Sequence, residues 1–191
     1  MTRIISGKYK GRNLNVPTSV TRPTSSRVRE AVFSSLQHTV GTFDGLVVLD
    51  LFAGSGALGI EALSRGAAKA VFVEKDRNAA TCIEENVRSL GENNFSLHKA
   101  DVLDLVDSTS TGTAADLVFI DPPYALTDEQ IVELLVTLAT KNWLANEAVV
   151  VVERSSKSVV DWPEGFAALA NKSYGDTGIW YGEYAPAKVE V

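Results

Sequence analysis

The chain has 191 residues, 45% of them hydrophobic and 22% charged, with a formal net charge of −6. That suits one globular domain with a real core, joined to a small extension. A single cysteine, Cys82, excludes an intramolecular disulfide, and two distant histidines, His38 and His98, argue against a zinc site. No apolar run approaches the ~20 residues of a membrane span, and the N-terminus has no signal-peptide pattern. A soluble protein of the reducing cytoplasm is expected, with no membrane or metal partner. The charge is uneven. Residues 1–29 hold Arg3, Lys8, Lys10, Arg12, Arg22, Arg27 and Arg29 and no acid, while the remainder sets 11 bases against all 24 acids. An acidic body with a basic N-terminal arm points to a polyanion contact on one face.

In chain order, residues 2–16 read as two short strands about a turn near Gly7 to Gly11. After the stretch PTSVTRPTSS, Ser25 or Ser26 is placed to cap a helix over Arg27–Gln37, with Val28, Val32, Phe33 and Leu36 on one face. Gly41 and Gly45 bracket a loop. Leu46–Leu51 reads as a strand, and GSGALGIEALSRG as a helix with a glycine-rich entry. Ala70–Val73 is a second strand, and Asp76 to Leu90 a helix ending at Gly91. Phe95–His98 is a third strand and Asp116–Ile120 a fourth, with Ser108–Ala115 as a small-residue connector. Thr127–Thr140 is a helix carrying Ile131, Leu134, Leu135 and Leu138. Ala148–Val152 is a fifth strand, an unbroken Ala/Val run suited to burial on both faces. Two further strands within Phe166–Tyr184 flank Gly175-Asp176-Thr177-Gly178. Alternating strands and helices predict an α/β, doubly wound, mostly parallel sheet.

The first motif is LDLFAGSGALGIEALSRGA, Leu49 to Ala67. Gly54, Gly56 and Gly59 spell G-x-G-x-x-G between a strand and a helix, a spacing shared by nucleotide-binding turns of several enzyme classes. Glu74, 20 residues past Gly54, can accept hydrogen bonds from ribose hydroxyls in any of them. Asp50, just ahead of the loop and beside Phe52, separates the classes. A carboxylate there repels a pyrophosphate, which wants a helix N-terminus, but suits the ammonium of S-adenosylmethionine. Asp101, after the third strand, is placed either for an adenine amino group or as a helix cap.

The second motif is FIDPPY, residues 119–124. Two prolines cannot continue a central strand, so the strand must stop. Its end carries a carboxylate, a rigid backbone and an aromatic ring. An exocyclic base amine is a poor nucleophile because its lone pair is delocalised into the ring. Asp121 and the Pro122 carbonyl can accept hydrogen bonds from that NH2 and localise the lone pair. The carboxylate also stabilises the positive charge that develops during attack. Tyr124 offers a stacking platform for a base that is unstacked or single-stranded. If the fourth strand lies beside the first, both motifs serve the carboxyl end of one sheet.

These residues resemble the Rossmann-like S-adenosylmethionine-dependent methyltransferases. More narrowly, the chain resembles the bacterial family that methylates a guanine N2 in 16S ribosomal RNA. The resemblance runs nearly end to end, through RIISGKYKGRNLNVP, RPTSSRVREAVFSSL, the glycine loop, VFVEKD, DLVFIDPPY and YGDTGIW. It departs at Ser26, where the family often has an acid, and at Ser6-Gly7, where it often has two glycines. It implies a seven-stranded sheet with a C-terminal antiparallel hairpin over 41–191, and an N-terminal β-hairpin plus helix extension over 1–40. It implies S-adenosyl-L-methionine as cofactor, held by Asp50, Phe52, Gly54, Gly56, Glu74, Lys75 and Asp101. Asp121, Pro122 and Tyr124 would hold the amine. Arg22, Arg27 and Arg29 would lie near the cofactor or near RNA phosphates, and the remaining N-terminal bases, Arg3, Lys8, Lys10 and Arg12, would face RNA. The expected partner is 16S rRNA within a small-subunit particle, met by a monomer. The competing readings are a DNA amino-methyltransferase acting on adenine N6, a nicotinamide-dependent oxidoreductase, and a noncatalytic RNA-binding assembly factor.

Overall fold

The computed structural model describes residues 2–17, 25–108, 112 and 114–186. The chain forms two compact units, Met1–Val102 and Leu103–Val191. Residues 1–40, expected from the sequence to be an extension, fall inside the first unit.

The first unit begins with β1 (Thr2–Arg3) and β2 (Asn13–Leu14), paired antiparallel in a two-stranded sheet of their own. Helix α1 (Ser26–Val40) comes next, capped by the Ser25 side chain, which accepts from the Val28 amide at 3.2 Å. This cap satisfies one of the orphan amides of the first turn. Val28, Val32, Phe33 and Leu36 are buried as their spacing predicts, but the same face also buries Arg29. Strand β3 (Val47–Leu51), helix α2 (Ala57–Ser64), strand β4 (Lys69–Val73), helix α3 (Arg77–Ser89) and strand β5 (Phe95–His98) complete two parallel crossovers. Asp76 caps α3 by accepting from the Ala79 amide at 2.8 Å. Helix α4 (Val102–Ser108) starts at the end of this unit, so Asp101 does precede a helix, the alternative its sequence position left open.

The second unit holds β6 (Ala115–Ile120), α5 (Asp128–Thr140), β7 (Leu144–Ser155), β8 (Phe166–Tyr174) and β9 (Thr177–Tyr184). Helix α5 opens with a capping box, Thr127 and Gln130 each accepting from the other's backbone amide. Strand β7 is longer than the expected Ala148–Val152. Its first residues pair out of register with β6, and Glu147 adopts a φ of 63° there. An irregularity of this kind hides a strand start from any alternation count. Trp143, ahead of β7, is buried and donates its indole N–H to the Val106 carbonyl at 3.0 Å. Strands β8 and β9 form the expected hairpin, and β9 pairs antiparallel with β7.

The seven-stranded sheet has the order β5-β4-β3-β6-β7-β9-β8, with β5, β4 and β3 parallel, β6 and β7 parallel, and the C-terminal hairpin antiparallel. This is the α/β fold and the strand order that the motifs require. β3, β4, β6 and the middle of β7 are almost wholly buried, as covered parallel strands must be.

Candidate functional site

The residues expected to hold the cofactor lie in the first unit, at and near the turn from β3 into α2. Phe52 leaves β3 with a φ of 59°, in the left-handed region that a bulky residue adopts only under constraint. The loop is closed by the Gly56 amide donating to the Ala53 carbonyl at 2.7 Å. Gly59 must lack a side chain, because a Cβ there would sit 2.4 Å from the Phe72 ring. This glycine lets α2 lie directly on β4.

Glu74 lies just past β4 and reaches back to the loop. Its Oε2 accepts from the Gly54 amide at 2.8 Å and its Oε1 from the Asp76 amide at 2.8 Å. Two backbone bonds fix the carboxylate and leave lone pairs on both oxygens that can accept further hydrogen bonds. Lys75 and Asp101 form an ion pair, Nζ to Oδ2 at 3.2 Å, with both side chains accessible. Glu74, Lys75 and Asp101 thus remain reachable by a ligand.

Asp50 does not. It is 1% exposed, and its Oδ2 accepts from the Gly59 amide in the first turn of α2 at 2.9 Å. The expectation that Asp50 meets a ligand ammonium is therefore corrected. The carboxylate is spent inside the fold, on the helix N-terminus. That placement still decides between cofactors. A dinucleotide wants its pyrophosphate on those amides, and here the Asp50 carboxyl oxygen already holds one of them. The half-site, with an acidic floor and a free-edged Glu74, fits S-adenosylmethionine.

The residues expected to hold the amine lie in the second unit, where β6 ends. Asp121 is half-buried, Pro122 buried, and Pro123 and Tyr124 exposed. Tyr124 is 74% exposed, the largest exposure among the described big hydrophobic side chains. The Leu126 amide donates to the Pro123 carbonyl at 3.0 Å, closing a turn. Arg154, 8% exposed at the end of β7, clamps the segment from Leu126 to Asp128. Its Nη2 donates to the Leu126 carbonyl at 2.7 Å, and Nη2 and Nε both donate to Asp128 Oδ1, at 2.8 and 3.1 Å. Arg154 was not anticipated from the sequence. Its only signal there is a charge ending the Ala/Val run.

The basic N-terminal segment is docked on the first unit. The Ile5 and Ser6 amides donate to the two oxygens of buried Glu61, at 2.8 and 3.0 Å, and Glu61 also pairs with Arg65 at 2.9 Å. The Lys8 amide donates to the Ser64 carbonyl at 2.7 Å. Gly7 makes this seating possible. It has a φ of 81°, and a Cβ on it would lie 1.7 Å from the Ser64 carbonyl oxygen. Lys8 Nζ sits 2.6 Å from Glu92, which also accepts from the Tyr9 hydroxyl at 3.0 Å. Burial works to raise the Glu92 carboxyl, but Lys8, the Asn93 and Asn94 amides and Tyr9 outweigh it and hold it down at about 2. The same Glu92 contact raises Lys8 above its ordinary value against partial burial.

Three of the seven bases are consequently spoken for. Arg29 is 1% exposed and donates to Thr2 Oγ1 at 3.0 Å and to the Arg3 carbonyl. Burial lowers its pKa, with Glu61 opposing. It anchors β1 from inside, which corrects its expected place at RNA. Lys8 is paired, and Arg12 donates to the Ser89 carbonyl at 2.8 Å. Arg3, Lys10 and Arg27 are exposed. Arg22 lies outside the described residues. Cys82 is buried, with Sγ 3.2 Å from the Asn15 carbonyl, and burial pushes its thiol up.

The family model described as conserved hypothetical protein 95 matches residues 2–183. The chain belongs to that family. Among its relatives, the Ribosomal RNA small subunit methyltransferase D of Escherichia coli strain K12 is 39% identical over 153 residues, covering 79% of this chain and 73% of the relative. The protein of the same name in Haemophilus influenzae is 36% identical over 180 residues, covering 91% and 89%. A solved Escherichia coli structure named as a candidate methyltransferase matches with TM-score 0.83 and 32% identity, over 96% of this chain and 98% of that one. The family model's span, residues 2–183, includes the docked N-terminal segment as well as the glycine loop and the segment from Asp121 to Tyr124.

Proposed function

We propose that the protein transfers a methyl group from S-adenosylmethionine to the exocyclic N2 amine of a guanine in 16S rRNA, in a small-subunit particle. The observation that carries the amine half is Tyr124, a large ring 74% exposed on a proline-stiffened loop directly after Asp121. A folded protein gains nothing by presenting such a ring to water, whereas an unstacked base gains ~1–3 kcal/mol on it. Asp121 and the Pro122 carbonyl accept from the amine, turn its lone pair out of conjugation and hold the nitrogen for attack. The Asp121 carboxylate then faces the positive charge that grows on that nitrogen, and provides an acceptor for the proton the amine loses. S-adenosylmethionine supplies the electrophilic methyl group when bound. Glu74 holds its ribose, and Asp101 its adenine edge.

The relatives named as small-subunit rRNA methyltransferases support RNA as the substrate. Arg3, Lys10 and Arg27 are exposed bases of the N-terminal region that can meet its phosphates. The buried Asp50 on the α2 amide weighs against a nicotinamide enzyme. The test is methyl transfer from labelled S-adenosylmethionine to naked small-subunit RNA, assembled particles and duplex DNA, with nucleoside analysis of the product. N2-methylguanosine, formed best in particles, is expected. N6-methyladenine in DNA, or no transfer to any of the three, would overturn the reading.

A further inference from the structure

Helix α3 carries an asparagine, Asn86, on its buried face between Ile83 and Val87. Asparagine is a poor helix-interior residue, and a buried amide costs stability unless it is hydrogen-bonded. Asn86 is 2% exposed and is bonded on every side. Its Oδ1 accepts from the Asn15 amide at 2.8 Å, and its Nδ2 donates to the Asn15 carbonyl at 3.0 Å. The side chain thus pairs with the Asn15 backbone as a neighbouring strand would. Nδ2 also donates to the Ser55 carbonyl at 3.1 Å. This network fixes the orientation of the amide, because only the NH2 end can serve two carbonyls.

Ser55 stands between Gly54 and Gly56 in the cofactor loop. The loop is therefore held at consecutive residues from two directions, the Gly54 amide by Glu74 and the Ser55 carbonyl by Asn86. We propose that Asn86 is a positioning residue that ties the N-terminal segment to the cofactor loop, so that its hold on the Ser55 carbonyl sets the affinity for S-adenosylmethionine. Asn86 touches neither cofactor nor substrate. It acts through the Ser55 backbone, and the inference rests on the cofactor reading of this loop.

The test compares Asn86→Asp, Asn86→Ala and Cys82→Ala. Asn86→Asp keeps the shape and the acceptor toward the Asn15 amide, but turns an oxygen on both carbonyls. Cys82→Ala removes the Sγ contacts to the same Asn15 carbonyl at 3.2 Å and to Asn86 Nδ2 at 3.6 Å, and leaves the Asn86 bond to Ser55 in place. Dissociation constants for S-adenosylmethionine and S-adenosylhomocysteine are measured by calorimetry, beside melting temperatures. Both Asn86 variants should bind about tenfold more weakly, the scale set by one buried carbonyl losing its donor. Cys82→Ala should bind like the wild type despite a lower melting temperature. Wild-type affinity in Asn86→Asp would overturn the proposal. So would weakening in Cys82→Ala equal to that in the Asn86 variants, or failure of both Asn86 variants to fold. A wild-type protein that binds neither compound would refute the cofactor reading itself.

Discussion

The two units hold their functional loops by different means. In the first, the loop from Phe52 to Gly56 is shaped by side chains distant in sequence. Glu74 takes the Gly54 amide, Asn86 takes the Ser55 carbonyl, and Asp50 takes the first turn of α2. In the second, the loop after Ile120 is stiffened by its own chemistry, two prolines, a closing turn and a capping box, and is clamped from a distance by Arg154. The first arrangement suits a ligand gripped along its length, whose loop must fit many atoms at once. The second suits a small group of acceptors that must not move while a nitrogen changes geometry.

Substitutions in each unit should therefore fail differently. The largest effect expected is for Asp121→Ala, a fall in methyl-transfer rate of about 10²–10⁴-fold with cofactor affinity little changed. Failure to bind cofactor instead would break the division of labour. Glu74→Ala should do the converse, weakening the S-adenosylmethionine dissociation constant by about tenfold or more while the rate at saturation stays near wild type. An unaltered constant would count against its ribose role. Arg154→Met should lower the rate by about tenfold, because the turn after Tyr124 loses its clamp, and Arg154→Lys should restore little, since an ammonium lacks the planar fork that bonds Asp128 through both Nε and Nη2. Equal activity in both variants and the wild type would show that the prolines suffice.

Smaller effects test the docked N-terminus. Glu92 is held at about 2 in the folded protein against an ordinary value of 4.5. Its contribution is present in full above pH 4.5 and lost as pH falls toward 2. Glu92→Gln should flatten this part of an acid-unfolding profile, and a profile unchanged by the substitution would remove Glu92 from the account. Neutralising Arg3, Lys10 and Arg27 should reduce the salt dependence of RNA binding by about one slope unit for each phosphate that these side chains neutralise in the wild type. An unchanged slope would clear this face of phosphate binding.

The contrast between the units also explains what could be read from the sequence. The DPPY loop is written in adjacent residues, and prolines, caps and an aromatic ring announce themselves without a partner. The glycine spacing marked the β3–α2 turn for the same reason, and Gly59 meets Phe72 as that spacing requires. The illegible part was long-range. Glu61 binds the Ile5 and Ser6 amides, Asn86 binds Asn15, and Glu92 binds Lys8 across gaps of 55 to 84 residues. No local pattern marks a carboxylate as the partner of a backbone amide so far away. Arg29 shows the cost of reading charge alone. Its spacing places it on the buried face of α1 with Val28, Val32 and Phe33, and there the helix pattern was the better guide than the cluster of bases.

The most direct measurement is mass spectrometry of 16S rRNA from cells lacking this protein, complemented with the wild-type chain or with Asp121→Ala. One N2-methylguanosine should vanish on deletion, return with the wild type and stay absent with Asp121→Ala. An N2-methylguanosine complement unaffected by deletion, or one restored in full by Asp121→Ala, would contradict the account.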